Sequence, residues 1–140
     1  MIEIESRELA DIPVLHAYPV GQKDTPLPCV IFYHGFTSSS LVYSYFAVAL
    51  AQAGLRVIMP DAPDHGSRFS GDAARRLNQF WQILLQSMQE FTTLRAAIAE
   101  ENWLRDDRLA VGGASMGAMT ALGITARHPT IKCTASMMGS

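Results

Sequence analysis

The sequence predicts an α/β fold: a mostly parallel sheet with helices on both faces and an antiparallel hairpin at its N-terminal edge. Three observations carry this. Short apolar runs alternate with helix-period segments, which is the pattern of strands joined by crossover helices. One run, Cys29-Val30-Ile31-Phe32-Tyr33, is continuously apolar, as a strand covered on both faces must be. The first two runs have period two and lie before any helical segment, so they read as a hairpin.

The elements follow in order. Ile2–Glu5 and Pro13–Tyr18 are the leading strands. Gly21, Asp24, Pro26 and Pro28 give the turn into Cys29–Tyr33. Ser38–Ser40 offers N-caps for a helix from about Leu41 to Gln52, and Gly54 stops it. Arg56-Val57-Ile58-Met59 is the next strand, ended by Pro60. A polar loop runs from Asp61 to Gly71. Asp72 to Glu101 holds no Gly or Pro. Leu77, Phe80, Trp81, Leu84, Leu85, Met88, Phe91 and Leu94 recur there at spacings of three and four. That predicts one long amphipathic helix, or two joined at a kink near Thr92-Thr93, with the stripe as core. Arg108–Val111 is a strand, Met116–Arg127 a helix closed by His128-Pro129, and Ile131–Met137 a last strand.

Composition narrows the function. The chain has 140 residues, room for a single domain over 1–140. Hydrophobic residues make 49% and charged residues 17%, which excludes a disordered tail. Lys plus Arg is 11 against 13 for Asp plus Glu, a net charge of -2, so no basic field for nucleic acid exists. Cys29 and Cys133 stand far apart in apolar runs and read as two reduced core thiols, neither a zinc site nor a disulfide. The N-terminus is acidic and alternating, unlike a signal peptide, and no run is apolar enough to span a membrane. A soluble, cytoplasmic protein is expected.

Gly113-Ala114-Ser115-Met116-Gly117 carries the chemistry. It is G-x-S-x-G with an apolar strand running in and a helix running out. A serine at the apex of a tight turn needs small neighbours, and Gly113 and Gly117 supply them. Ser115 also opens a helix, where developing negative charge is favoured. The plainer alternative is a Gly-rich turn with a capping serine. A dinucleotide fingerprint is excluded, because no Asp or Glu follows Asp107 to hold a ribose. A phosphate loop is excluded because no Lys-Ser/Thr follows Gly117.

A serine nucleophile needs two backbone N–H groups aimed at the oxyanion. Met116, after the serine, gives one. The loop Tyr33-His34-Gly35-Phe36 gives the other, with Phe36 N–H the candidate and Gly35 letting the chain turn. His34 reads as a supporting loop residue rather than a base. In Asp61-Ala62-Pro63-Asp64-His65-Gly66-Ser67, adjacent Asp64 and His65 point in different directions, so that segment reads as a shaped loop.

H-G-F after a strand, a D-x-x-x-H-G loop after the next, and G-x-S-x-G at a strand–helix elbow resemble the α/β-hydrolase superfamily. The likeness is to small bacterial carboxylesterases of the dienelactone-hydrolase and prolyl-oligopeptidase-like branch. It covers the chain from about Pro13. It implies Ser115 as nucleophile, Phe36 and Met116 N–H as oxyanion hole, a small-molecule ester substrate, and no metal or organic cofactor. A thioesterase, a peptidase or a non-catalytic binding module on the same scaffold are the alternatives. Asp64 and Arg68 depart from the usual D-x-x-G-H-G-x-S, at its Gly and its last Ser. In this fold the triad continues with an acid and then a His. After Ser115 there is only His128, at the far end of a 12-residue helix, about 18 Å away. The expectation is therefore an N-terminal portion of the fold. Its last strand would be an unprotected edge, through which the 140-residue chain self-associates.

Overall fold

The computed structural model describes residues 1–131 and the backbone of Cys133–Met137. The chain opens with β1 (Ile2–Leu9) and β2 (Ile12–Pro19), antiparallel from Ile2↔Pro19 to Leu9↔Ile12. Their two-residue turn puts Ala10 and Asp11 at φ 49° and 66°. Both central residues of such a hairpin turn must be left-handed. Ala-Asp is a weak signal for it, so the sequence shows only part of each strand.

Next come β3 (Leu27–Tyr33), α1 (Ser44–Gln52) and β4 (Arg56–Pro60). They are followed by α2 (Ala73–Asn78), α3 (Phe80–Glu100), β5 (Leu104–Ala114), α4 (Met116–Arg127) and β6 (Cys133–Met137). One six-stranded sheet forms in the order β1-β2-β4-β3-β5-β6. Strands β4, β3, β5 and β6 are parallel, and β2 joins β4 antiparallel. The expected architecture, a mostly parallel sheet with a hairpin at one edge, is the one observed.

Side-chain alternation along β3 divides the core in two. Phe32 faces α1 with Leu15, Ala17, Val57 and Met59, against Ala47 and Ala51 of the helix. Cys29, Ile31 and Tyr33 face the other way, with Val111, against Leu84, Met88, Phe91, Leu94, Ile98 and Ile124 of α3 and α4. Ile31 has no exposed surface. Truncating such a residue to Ala costs about 2–5 kcal/mol, so this strand is where the two half-cores are held together. Cys29 is buried and free, and burial pushes its thiol up to about 12. The Cys133 thiol lies outside the described side chains.

Four expectations need correction. The 72–101 segment does break, at Gln79 (φ -114°, ψ 22°) and not at Thr92-Thr93. Both threonines sit on the exposed side of α3, where β-branching costs little. Leu77, Trp81 and Leu85 are exposed, at 67%, 62% and 47%, so the apolar stripe is narrower than its spacing indicates. Ile83 and Ile98 are buried on α3 as well. Helix α1 starts three residues late, capped by no side chain. The candidate cap Ser40 lies in the turn before the helix, its carbonyl accepting from Tyr43 N at 3.1 Å and its N–H donating to Asp61 Oδ1 at 3.0 Å. Finally, β5 extends back to Leu104 through a register shift opposite Leu27 and Cys29, with Asp106 and Asp107 left-handed. Among the described residues no helix is long and apolar enough to cross a membrane.

Candidate active site

Strand β5 ends at Ala114, and α4 begins at Met116. Ser115 alone makes the turn, at φ 57° and ψ -118°. That conformation costs a non-glycine residue about 1–3 kcal/mol and persists only where its surroundings hold it. Here they do. A Cβ on Gly113 would run into the Gly117 carbonyl, and one on Gly117 into the Tyr33 carbonyl. Backbone therefore packs on backbone, and α4 seats directly on the ends of β5 and β3. The Ser115 carbonyl accepts from Ala118 N and Met119 N at 3.0 and 3.2 Å. The Ser115 side chain is exposed and makes no capping bond, so the capping-serine alternative does not describe it.

The parallel register of β3 and β5 runs up to Tyr33↔Gly113, so both strands end at the same edge of the sheet. His34, Gly35 and Phe36 thus lie beside the elbow. A Cβ built on Gly35 would stand 3.5 Å from Ser115 Cβ and 3.5 Å from the Ala114 carbonyl oxygen. The Phe36 ring turns towards His65 and Phe80, with centroids at 5.3 and 5.0 Å. Its N–H and that of Met116 donate to no turn or loop carbonyl among the described residues.

Two histidines bind this loop to the next one. His34 donates from Nδ1 to the Gly35 carbonyl at 2.8 Å and accepts at Nε2 from Ala62 N at 3.0 Å. His65 donates from Nδ1 to the Pro63 carbonyl at 2.9 Å and accepts at Nε2 from Thr37 N at 2.9 Å. Each ring has both nitrogens in use as a neutral tautomer. Burial is the main cause that holds both below the ordinary histidine value. Asp61 completes the lacing: Oδ1 accepts from Ser40 N, and Oδ2 from Ser67 N and Ser67 Oγ. Burial raises its pKa, but the Ser40 and Ser67 bonds together lower it further than that.

Asp64 does not orient His65. It sits at φ 59° and accepts from Ser70 N at 2.7 Å. A left-handed position is one that glycine takes freely and Asp tolerates, which is how Asp64 stands where the family pattern has Gly. Arg68, the other departure, donates to both Glu90 carboxylate oxygens at 2.8 and 2.9 Å and to the Asp61 carbonyl. It ties the loop to α3.

The sequence contains four histidines. His34 and His65 are occupied as described. His16 is bonded to Glu5 and Arg56. His128 ends α4, its ring against Phe91 at 5.0 Å. None is available to take a proton from Ser115. Among the described residues no cluster of three His, Cys, Asp or Glu could hold a metal. An apolar groove of about 910 Å³ lies on the α1 face of β3 and β5, against Phe46 and Leu50, and a smaller one of about 290 Å³ adjoins Asp61, Ser40 and Arg7. Ser115 lines neither. Sequence reasoning missed Tyr43, whose hydroxyl stands 3.1 Å from the same Gly35 Cβ position. It belongs to no motif, and only the folded loop brings it there.

Comparison with known proteins gives the family and the fold. The chain is 98% identical over 140 residues to "Esterase YjfP" of Escherichia coli (strain K12), covering all of this chain and 56% of that protein. It spans about half the length of the curated relatives it matches. Among solved structures it resembles TT1662 from Thermus thermophilus, with a TM-score of 0.76 and 23% identity, over 100% of this chain and 58% of that one. It also resembles a dienelactone hydrolase from Anabaena variabilis, with a TM-score of 0.71 and 22% identity, over 97% of this chain and 62% of that one. Those two likenesses bear on the fold. The family model described as "Serine aminopeptidase, S33" matches residues 24–139, and this chain, an α/β-hydrolase by fold, belongs to that family.

Proposed function

We propose that this chain carries the nucleophile and oxyanion hole of a serine esterase that cleaves short acyl esters through an acyl-enzyme on Ser115. One observation carries the reading: Ser115 is exposed, uncapped and held at φ 57° by glycine-only packing. Strain of this kind gathers at functional sites, and here it falls on the exposed serine between a strand and a helix. The 98% identity to a protein named as an esterase supports the choice of substrate class.

Ser115 Oγ attacks the ester carbonyl carbon, and the carbonyl electron pair moves onto oxygen. The Phe36 and Met116 N–H groups receive that oxyanion. The serine proton passes to a histidine supplied from outside these 140 residues and then to the leaving alcohol. Water next cleaves the acyl-enzyme and frees the acid.

The test uses a chain of the relatives' full length and a p-nitrophenyl ester. Ser115→Ala is expected to lower activity by several orders of magnitude with folding intact, and activity kept within tenfold overturns the assignment. Acyl-CoA and aminoacyl amides in the same panel separate an esterase from a thioesterase or a peptidase. A fluorophosphonate that fails to label Ser115 identifies a non-catalytic binding module instead. The 140-residue chain alone is expected to be nearly inactive, because oxyanion stabilisation without a base leaves only about 10³–10⁴-fold over water.

A further inference from the structure

We infer that the Tyr43 hydroxyl is a third donor to the oxyanion formed at Ser115, alongside the two backbone N–H groups. The inference rests on Ser115 being the nucleophile.

The position follows from the loop. Tyr43 precedes α1, with its N–H on the Ser40 carbonyl at 3.1 Å and its own carbonyl accepting from Phe46 N at 3.0 Å. Its ring lies among Phe32, Tyr45 and Phe46, with centroids 6.0 to 6.1 Å away. That packing fixes where the hydroxyl points. Tyr43 Oη stands 3.1 Å from the place a Gly35 Cβ would occupy, and Ser115 Cβ stands 3.5 Å from the same place. The side chain that Gly35 lacks therefore leaves a space about one methyl group wide. Tyr43 Oη and Ser115 Cβ both border it, with the Ala114 carbonyl oxygen, also 3.5 Å away. The next peptide carries the Phe36 N–H.

Two further facts make the hydroxyl available. Tyr18 gives its O–H to Glu3 Oε2 at 3.1 Å, whereas Tyr43 has no such acceptor among the described residues. The Tyr43 ring is anchored, so ordering its O–H costs little when an acceptor arrives. A phenol brings a donor without a formal charge. When Ser115 Oγ bonds to the carbonyl carbon, the new negative oxygen offers lone pairs to three donors. No proton is transferred from Tyr43 in this step: it donates a hydrogen bond and keeps its hydrogen. The glycine is then required for two reasons, the sharp turn of the loop and the space it leaves beside Tyr43 Oη and Ser115.

The experiment uses the full-length chain and Tyr43→Phe, which removes one oxygen and keeps the ring packing. Steady-state kinetics on a p-nitrophenyl ester are measured per active serine, counted by fluorophosphonate labelling. The expected result is a fall in kcat of at least tenfold, towards the roughly 100-fold that loss of one oxyanion donor costs. KM should stay within twofold, and the rate of fluorophosphonate inactivation should fall in parallel, since the phosphoryl oxygen enters the same hole. An unchanged thermal midpoint excludes a merely structural effect. Tyr43→Phe with kcat/KM within twofold of the parent overturns the inference, and so does a rise in KM at constant kcat. Ser115→Ala run beside it separates the two readings. If Ser115→Ala abolishes activity while Tyr43→Phe does nothing, the nucleophile stands and the tyrosine falls. If Ser115→Ala is active, both fall.

Discussion

Lowering the pH from about 6.5 to about 4 should remove about 3 kcal/mol of stability through His16 alone. The His16 side chain has no exposed surface. Its Nδ1 donates to Glu5 Oε2 at 2.7 Å, and its Nε2 accepts from Arg56 Nη1 at 2.8 Å. The ring stacks on Trp103 at 4.3 Å, with the Arg56 and Arg7 guanidinium groups also over that indole. A second ring proton would face a guanidinium N–H. Burial foremost lowers the His16 pKa from 6.5 to about 4; the Glu5 bond opposes this, and the charges of Arg56 and Arg7 add to it. In the unfolded chain the same imidazole takes a proton at its ordinary value. Between the two pKa values the unfolded state holds one more proton, so stability falls as pH falls and levels off below about 4. The gap converts to about 3 kcal/mol. That is a large share of the about 5–15 kcal/mol that keeps a domain folded.

Urea unfolding followed by tryptophan fluorescence measures this. His34 and His65 are also held below the usual value, so they add losses of the same sign. The comparison is therefore with His16→Gln, which keeps a donor and an acceptor but cannot titrate. The parent should lose about 3 kcal/mol more than the variant across the window. Equal losses, within about 0.5 kcal/mol, would refute the picture of a neutral buried His16.

Three more outcomes are expected. Gly117→Ala should cost about 1–3 kcal/mol or more in a thermal melt, because its Cβ meets the Tyr33 backbone. Gly123→Ala, whose Cβ meets only the flexible end of Met88, should cost much less. Ser115→Gly should stabilise the fold by about 1 kcal/mol while abolishing fluorophosphonate labelling, since glycine relieves the left-handed strain. The 140-residue chain should self-associate through β6, which pairs with β5 on one side of the sheet; a sharp monomer peak in light scattering would count against that.

The parts of the fold visible in the sequence are those decided by local chemistry. Helix α4 spans the expected residues because a glycine-rich elbow starts it and His128-Pro129 ends it. The continuous run Cys29–Tyr33 does lie between two half-cores. Other features depend on partners distant in the chain. Nothing near Ser40 shows that Asp61 will take its N–H. Nothing in the Leu77–Leu94 spacing shows how much of the stripe the sheet can cover. The Asp106-Asp107 bulge hides a strand behind a charged run. The serine was legible because its motif is sequential. Tyr43 was not, because only the return of the loop onto Gly35 brings its hydroxyl to the elbow.

Three buried side chains cross between the loop after β3 and the loop after β4, and each one holds a backbone N–H. His34 takes Ala62 N, His65 takes Thr37 N, and Asp61 takes Ser40 N. Two of these bonds bracket Gly35-Phe36, one to His34 before the pair and one from Thr37 after it. The candidate oxyanion donor is thus fixed before any substrate arrives, which is what makes such a donor effective: nothing has to reorganise when charge develops. The arrangement works only with neutral rings. A proton added to His34 or His65 turns the acceptor Nε2 into a donor facing another N–H, and the bond is lost. Burial, the main cause of the lowered pKa of each ring, keeps both in the neutral form that these bonds need. His34 and His65, which the sequence places in supporting loops, hold the candidate oxyanion loop in place.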